Sequence, residues 1–320
     1  MKSIIKPFAW VAISLFCGSY IPTLAGDNNN AMFDIEYRIP DIPQQVTFAG
    51  ESIDLTRYDM YERIERELTT ACYMHATTML TIKRANRYMP IIAPILEREN
   101  IPADFIYLVA IESAFNPLAK SPAKAAGMWQ FMPATAREYG LEVNNDIDER
   151  YNIEKATVAA CKYLRDAYEK YGSWVDAATS YNAGLQRVAR ERERQQVKSS
   201  LDMHLVDETS RYMFRILATK ILFENPAKYG FKIRTRQLYQ PIRTKTVEVT
   251  STIDDLPTWA QKQGITYKQL KDFNPWMLTQ TLPDKSGKLY KIAIPLKEDL
   301  YYDNKRKYVT FNPNWVIDHK

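Results

Sequence analysis

One glutamate combines the residue type and the surroundings that acid catalysis needs. Phe105-Ile106-Tyr107-Leu108-Val109-Ala110-Ile111 runs without a polar face and is followed at once by Glu112. A helix that is apolar all round is buried on all sides. A carboxyl group at the carboxyl end of such a helix is doubly disfavoured as an anion, by desolvation and by the negative end of the helix dipole. These conditions keep a carboxylic acid protonated near neutral pH, ready to give its proton to a leaving group. The alternative is structural: Glu112 caps the core boundary or pairs with Arg137 or Arg150.

Several elements must hold that group. Pro102 suits the first position of its helix, Asp104 falls in the first turn, and Asn116-Pro117 stops the helix after Glu112. Ser121 to Pro133 reads as a loop whose small residues let backbone come close to something; Pro133 starts a helix that Gly140 ends. Residues 152–171 form an amphipathic helix with Tyr163 and Tyr171 on its apolar side. Ser173-Trp174-Val175-Asp176 is a capping box for a helix running into Tyr181-Asn182-Ala183-Gly184. Tyr, Asn, Gln and exposed Met or Trp suit an uncharged polyhydroxylated substrate. Helical spacing equally allows the tyrosines to be core.

Composition narrows the alternatives. The chain has 320 residues, 46% of them hydrophobic, and 12% aromatic, which excludes disorder and leaves room for one large or two modest domains. Ten glycines in 320 residues are few against the usual ~7%, which favours helices over turn-rich sandwiches. No G-x-G-x-x-G or G-K-[ST] supports a nucleotide cofactor. Three histidines and three cysteines show no metal-ligand spacing, so neither a metal nor another cofactor is expected. A net charge of +5 is too small to argue for nucleic acid. Cys72 and Cys161 lie in apolar helical stretches, and either a disulfide or two buried thiols fits.

The expected fold is mainly α, with a small α+β domain at the carboxyl end. Lys2 and Lys6 precede an apolar run that closes on Thr23-Leu24-Ala25, so residues 1–25 read as a signal peptide; an uncleaved anchor or a lipoprotein at Cys17 are the alternatives. Residues 26–54 read as an extended lead-in. Helices occupy 55–232, with Pro90 and Pro94 expected to break one near Tyr88. The basic stretch 233–245 reads as a linker, 246–296 as the α+β domain, and 297–320, with Lys305-Arg306-Lys307, as an uninformative tail.

Four ordered segments carry a resemblance: Ile111-Glu112-Ser113-Ala114-Phe115-Asn116-Pro117; Ser121-Pro122; Gly127-Met128-Trp129-Gln130-Phe131-Met132-Pro133; and Ser180-Tyr181-Asn182-Ala183-Gly184. Together they resemble the lytic transglycosylases of the soluble lytic transglycosylase and goose-type lysozyme superfamily. Tyr88-Met89-Pro90, Asp148-Glu149-Arg150 and Glu208-Thr209 with Tyr212 fit one branch of it. The resemblance implies a lysozyme-like helical domain, with motifs in 100–190, acting on peptidoglycan glycan strands in the periplasm or cell envelope. It implies Glu112 as the single acid and base, giving 1,6-anhydro-N-acetylmuramic acid ends without water. Ser121 then sits by the reacting sugar, Gln130 with Met128 or Met132 lines the groove, Tyr181 holds Glu112 by a hydrogen bond, and Asn182 shapes the same wall. Tyr212 is a weaker carry-over. Membrane or cell-wall association stays open.

Residues 246–295 resemble a LysM glycan-binding module, strand–helix–helix–strand, with Ser251-Thr252-Ile253-Asp254-Asp255 replacing the usual Gly-Asp turn. A small α+β cap packed on the enzyme is the other reading. Ordinary glycosidases pair two carboxylates; Glu138, Glu142, Asp146, Asp148 and Glu149 are the candidates for a second one. A hydrolysing lysozyme and a catalytically idle wall scaffold are the alternatives in function.

Overall fold

The computed structural model describes residues 39–283, 287–303 and 305–318. The segment read as a signal peptide, with Cys17, lies outside the described residues. The described part of the lead-in is not merely extended: β1 (Gln45–Phe48) and β2 (Glu51–Asp54) pair as an antiparallel hairpin. Its turn needs positive φ at both central residues, and Ala49 (51°) and Gly50 (85°) supply them. Alanine is a poor turn residue, which hid the hairpin from a sequence reading. The Ala49 N–H donates to Asp104 Oδ2 at 2.8 Å, so a distant side chain holds the turn.

The helical body follows, with α1 (Tyr58–Tyr73), α2 (His75–Arg98), α3 (Ile106–Ser113) and α4 (Pro133–Glu138). It continues through α5 (Ile153–Tyr171), α6 (Trp174–Ala183), α7 (Leu185–Gln195) and α8 (Asp207–Glu224). Pro90 and Pro94 do not break α2, contrary to expectation. They lie one turn apart on its exposed face, where water can satisfy the freed carbonyls, while Met89, Ile92 and Leu96 stay buried on the other. The short α3 is threaded through the core: Leu108 and Val109 are fully buried, and the helix packs on α8 and α2. It ends on two left-handed residues, Ala114 (φ 50°) and Phe115 (φ 53°). Each costs about 1–2 kcal/mol for a residue with a side chain. Complete burial of the Phe115 ring offsets that cost.

Cys72 and Cys161 are two separate buried thiols, which settles the disulfide question for this structure. Burial pushes them to about 11 and about 12, so neither is reactive at neutral pH. No helix among the described residues is long and apolar enough to cross a membrane.

The carboxyl-terminal unit is βααβ as expected: β3 (Thr244–Val249), α9 (Leu256–Lys262), α10 (Tyr267–Phe273) and β4 (Tyr290–Pro295), with β3 and β4 antiparallel. Leu256, Ala260, Leu270, Trp276 and Ile294 form its core. Asn274 is buried to bridge α10 and β4: its amide donates to the Leu270 and Ala293 carbonyls and accepts from the Ala293 N–H. The unit is also docked on the helical body. Ile147 enters its core, and Asp146 and Asp148 exchange backbone bonds with Leu278 and Trp276. Lys288 reaches Glu142 (2.7 Å) and Glu149 (3.1 Å). The stretch after Phe311 closes the helical core: Trp315 is buried and its Nε1–H donates to the Phe223 carbonyl.

Candidate active site

Glu112 stands in a cleft of about 470 Å³ between α1, α2, α3, α8 and the loop 119–130. The cleft follows from the local structure: α3 delivers Glu112 from the core, and α8 passes beneath it. The Tyr212 hydroxyl on α8 donates to Glu112 Oε1 at 2.5 Å, which fixes one oxygen and leaves Oε2 for a ligand. Glu112 itself is half-buried. Desolvation dominates its pKa and raises it from the ordinary 4.5 to about 7. The Tyr212 bond and the Arg215 charge pull it down, and the Glu208 charge pushes it up, without cancelling the burial effect. Neither Arg137 nor Arg150 pairs with Glu112. Arg137 donates to the Val143 carbonyl and Arg150 to Asp148.

The loop of small residues wraps one side of the cleft. Ser121 lines it, and its hydroxyl accepts from the Ala125 N–H at 3.0 Å. Gln130 lines it in a left-handed conformation (φ 50°), with its amide tied to the carbonyls of Gly127 (2.7 Å) and Ala119 (3.2 Å). Glycine is required at 127: a Cβ there would sit 1.9 Å from the Arg150 carbonyl oxygen. Arg150 completes the clamp, with Nη1 donating to the Lys124 (2.7 Å) and Phe131 (3.0 Å) carbonyls.

Three expectations for the site differ from the structure. The hydroxyl that bonds Glu112 belongs to Tyr212, while the Tyr181 hydroxyl donates to the Trp129 carbonyl at 2.7 Å. Tyr181 thus holds the loop that faces Glu112, and its ring packs edge-on against Phe131 and Tyr163. Met128 and Trp129 are core rather than groove: both are buried, and the Trp129 Nε1–H donates to the Thr157 hydroxyl at 2.9 Å. Their mixture of apolar body and small neighbours reads equally as binding or packing, and packing took them. Met132 is exposed, at the start of α4, outside the cavity around Glu112. Asn182 accepts from the Thr209 hydroxyl at 3.0 Å, linking α6 to α8.

Some cleft residues went unread in the sequence. Thr77, Thr78 and Thr81 of α2 form a hydroxyl-bearing wall, and Arg215 lines the floor. Glu208, Tyr212 and Arg215 fall at i, i+4 and i+7, one face of a helix; that spacing was the available signal. Glu67 is the other carboxylate on the cleft wall, and Arg211 (2.7 Å) and Arg66 (3.0 Å) hold it. None of Glu138, Glu142, Asp146, Asp148 and Glu149 lines the cleft.

Membrane-bound lytic murein transglycosylase D of Escherichia coli K12 is 30% identical over 241 residues, 74% of this chain and 51% of the relative. This chain thus spans about half the length of that relative. Peptidoglycan transglycosylase gp16 of Escherichia phage T7 is 43% identical over 79 residues, 24% of this chain and 6% of its own. Among solved structures, the 70 kDa soluble lytic transglycosylase SLT70 from Escherichia coli is similar over 43% of this chain and 24% of its own. The two share 24% identity at a TM-score of 0.37. Two families match separate stretches, and the chain therefore carries a transglycosylase SLT domain at residues 90–203, followed at residues 245–298 by a soluble lytic transglycosylase C-terminal LysM-like domain.

Proposed function

We propose that this protein is a peptidoglycan lytic transglycosylase in which Glu112 serves first as acid and then as base. The observation that carries the reading is the state of Glu112: a half-buried carboxyl raised to about 7, with one oxygen fixed by Tyr212 and no cation bonded to it among the described residues. Near neutral pH about half of such groups hold a proton, which is where an acid/base group works best. Glu112 gives its proton to the glycosidic oxygen between N-acetylmuramic acid and N-acetylglucosamine as the bond from C1 to that oxygen breaks. The resulting carboxylate takes the proton of the muramic acid 6-hydroxyl as O6 bonds to C1. The products are a 1,6-anhydro end and a free 4-hydroxyl, with Glu112 protonated again and no water consumed.

A hydrolase would need a second carboxylate to activate water or to trap the sugar. Glu67, on the same cleft wall, is committed to two arginines, which supports the single-carboxylate route. Ser121 and Gln130 contact the glycan in this reading, and Tyr181 and Asn182 brace the wall. The LysM-like domain adds a second hold on glycan, and residues 1–25 direct export to the periplasm or cell envelope. Digestion of purified peptidoglycan with mass analysis of the fragments tests the activity. Anhydro-muramyl ends are expected; reducing ends would make the protein a muramidase, and no release would make it a scaffold.

A further inference from the structure

On the side of α2 away from the cleft lies a second groove, of about 560 Å³, that the reaction leaves unused. Thr77 and Thr81 face the cleft; Met79, Lys83 and Arg87, at i, i+4 and i+8, lie about half a turn round the same helix and face the groove. Lys232 and Arg236 come from the basic stretch before β3, and Tyr302 from the tail. Two separate runs of the sequence thus supply four cations to one concavity, a third adds the Tyr302 ring, and no carboxylate lines it.

Two of the cations are held in place, and none is neutralised by a carboxylate of the groove. Arg87 is oriented by two bonds, Nε to the Gln240 carbonyl and Nη2 to the Tyr302 hydroxyl, both at 3.0 Å. The Lys83 ammonium lies 4.7 Å over the Tyr239 ring. Lys83, Arg87, Lys232 and Arg236 form no ion pair with any described residue, although Lys83 and Arg87 are half-buried. The nearby carboxylate Asp318 is engaged by the Thr235 N–H and hydroxyl at 2.9 Å. Half-buried cations without counter-charge make a concave surface a favourable place for an anion. Ile233, Leu238, Tyr239 and Tyr302 give the same groove apolar surface. That mixture suits a short chain carrying both carboxylates and small apolar groups better than a bare phosphate.

We infer that this groove binds an acidic peptide, the kind that hangs from peptidoglycan glycan strands, so that one polymer is held by its sugars in the cleft and by its peptide on the flank of α2. The inference rests on the reading of the cleft as a glycan site. Reach permits it: a helix is about 10–12 Å across, and four extended residues span about 13–14 Å.

The test uses the full chain with Lys83→Met and Arg236→Gln combined, neither residue belonging to the cleft. On peptide-bearing peptidoglycan, KM is expected to rise about five- to tenfold with kcat unchanged; on strands stripped of peptide by an amidase, both constants should stay put. In parallel, titration of the free tetrapeptide alanyl-γ-glutamyl-diaminopimelyl-alanine should show saturable binding that the double variant weakens about tenfold and that capping of the carboxylates removes. Equal KM changes on both substrates, or unchanged peptide binding in the variant, would overturn the inference. So would a groove that takes inorganic phosphate but not the peptide. The titration does not depend on turnover, so a protein that cleaves nothing yet binds the peptide would refute the catalytic reading and leave the groove standing.

Discussion

Two carboxyl groups in this molecule, one buried and one half-buried, have opposite fates. Glu149 is buried between Lys155 and Lys288, on a stretch where Asp148 forms a bidentate pair with Arg150. Glu112 is half-buried with one neutral donor, Tyr212, and its pKa is displaced to about 7. Both sites desolvate a carboxylate; they differ in whether a cation compensates it. The compensated acids hold structure, because their charge is already satisfied. The one with no cation bonded to it keeps an exchangeable proton near neutral pH, the state that the proposed acid and base needs.

Removing each partner tests that contrast. Glu112→Gln cannot give or take a proton, and cleavage is expected to fall about a thousandfold or more while glycan binding survives. Mass analysis of released fragments with a co-sedimentation assay reads both; retained cleavage would take Glu112 out of the mechanism. Arg150→Ala leaves Asp148 buried without its cation and frees the Lys124 and Phe131 carbonyls. A loss of about 3–5 kcal/mol is expected in urea unfolding, and a loss under 1 kcal/mol would mean the clamp is not structural.

Tyr212→Phe should lower kcat by about 10- to 100-fold, the usual worth of a hydrogen bond to a charged group. The Tyr212 bond stabilises the carboxylate, so its loss should also move the alkaline limb of the pH–rate profile upward from about 7. A downward move would contradict the assigned direction. The smallest effect is one of stability. The folded state holds the Glu112 proton more tightly than the unfolded chain, so ionisation costs stability progressively from pH 4.5 to about 7, and the full cost persists above that. Glu112→Gln removes it. The variant should gain about 1–2 kcal/mol over the parent at pH 8, allowing for partial exposure, and almost nothing at pH 4. A pH-independent difference would show that Glu112 is not displaced.

Much of this was legible in the chain itself. Glu112 stood out because a continuous apolar run and the residue after it are adjacent in sequence, and desolvation of a helix end is a local property. The βααβ order of the carboxyl-terminal domain was equally local. The hairpin at 45–54 was not, since Asp104 holds its turn from 55 residues away. Pro90 and Pro94 misled because their effect depends on which face of α2 meets water.

The site divides the same way. The sequence by itself picked out Glu112 as the candidate acid and the loop 121–133 as one whose small residues let backbone come close. Only the tertiary structure decided that Tyr212 rather than Tyr181 bonds Glu112, that Met128 and Trp129 are core, that Arg150 serves Asp148, and that cations from two distant stretches share one groove. The reason is physical: hydrophobic spacing fixes which face of an element turns inward, but not which atom of another element it meets there. A carboxylate's pKa depends on those atoms.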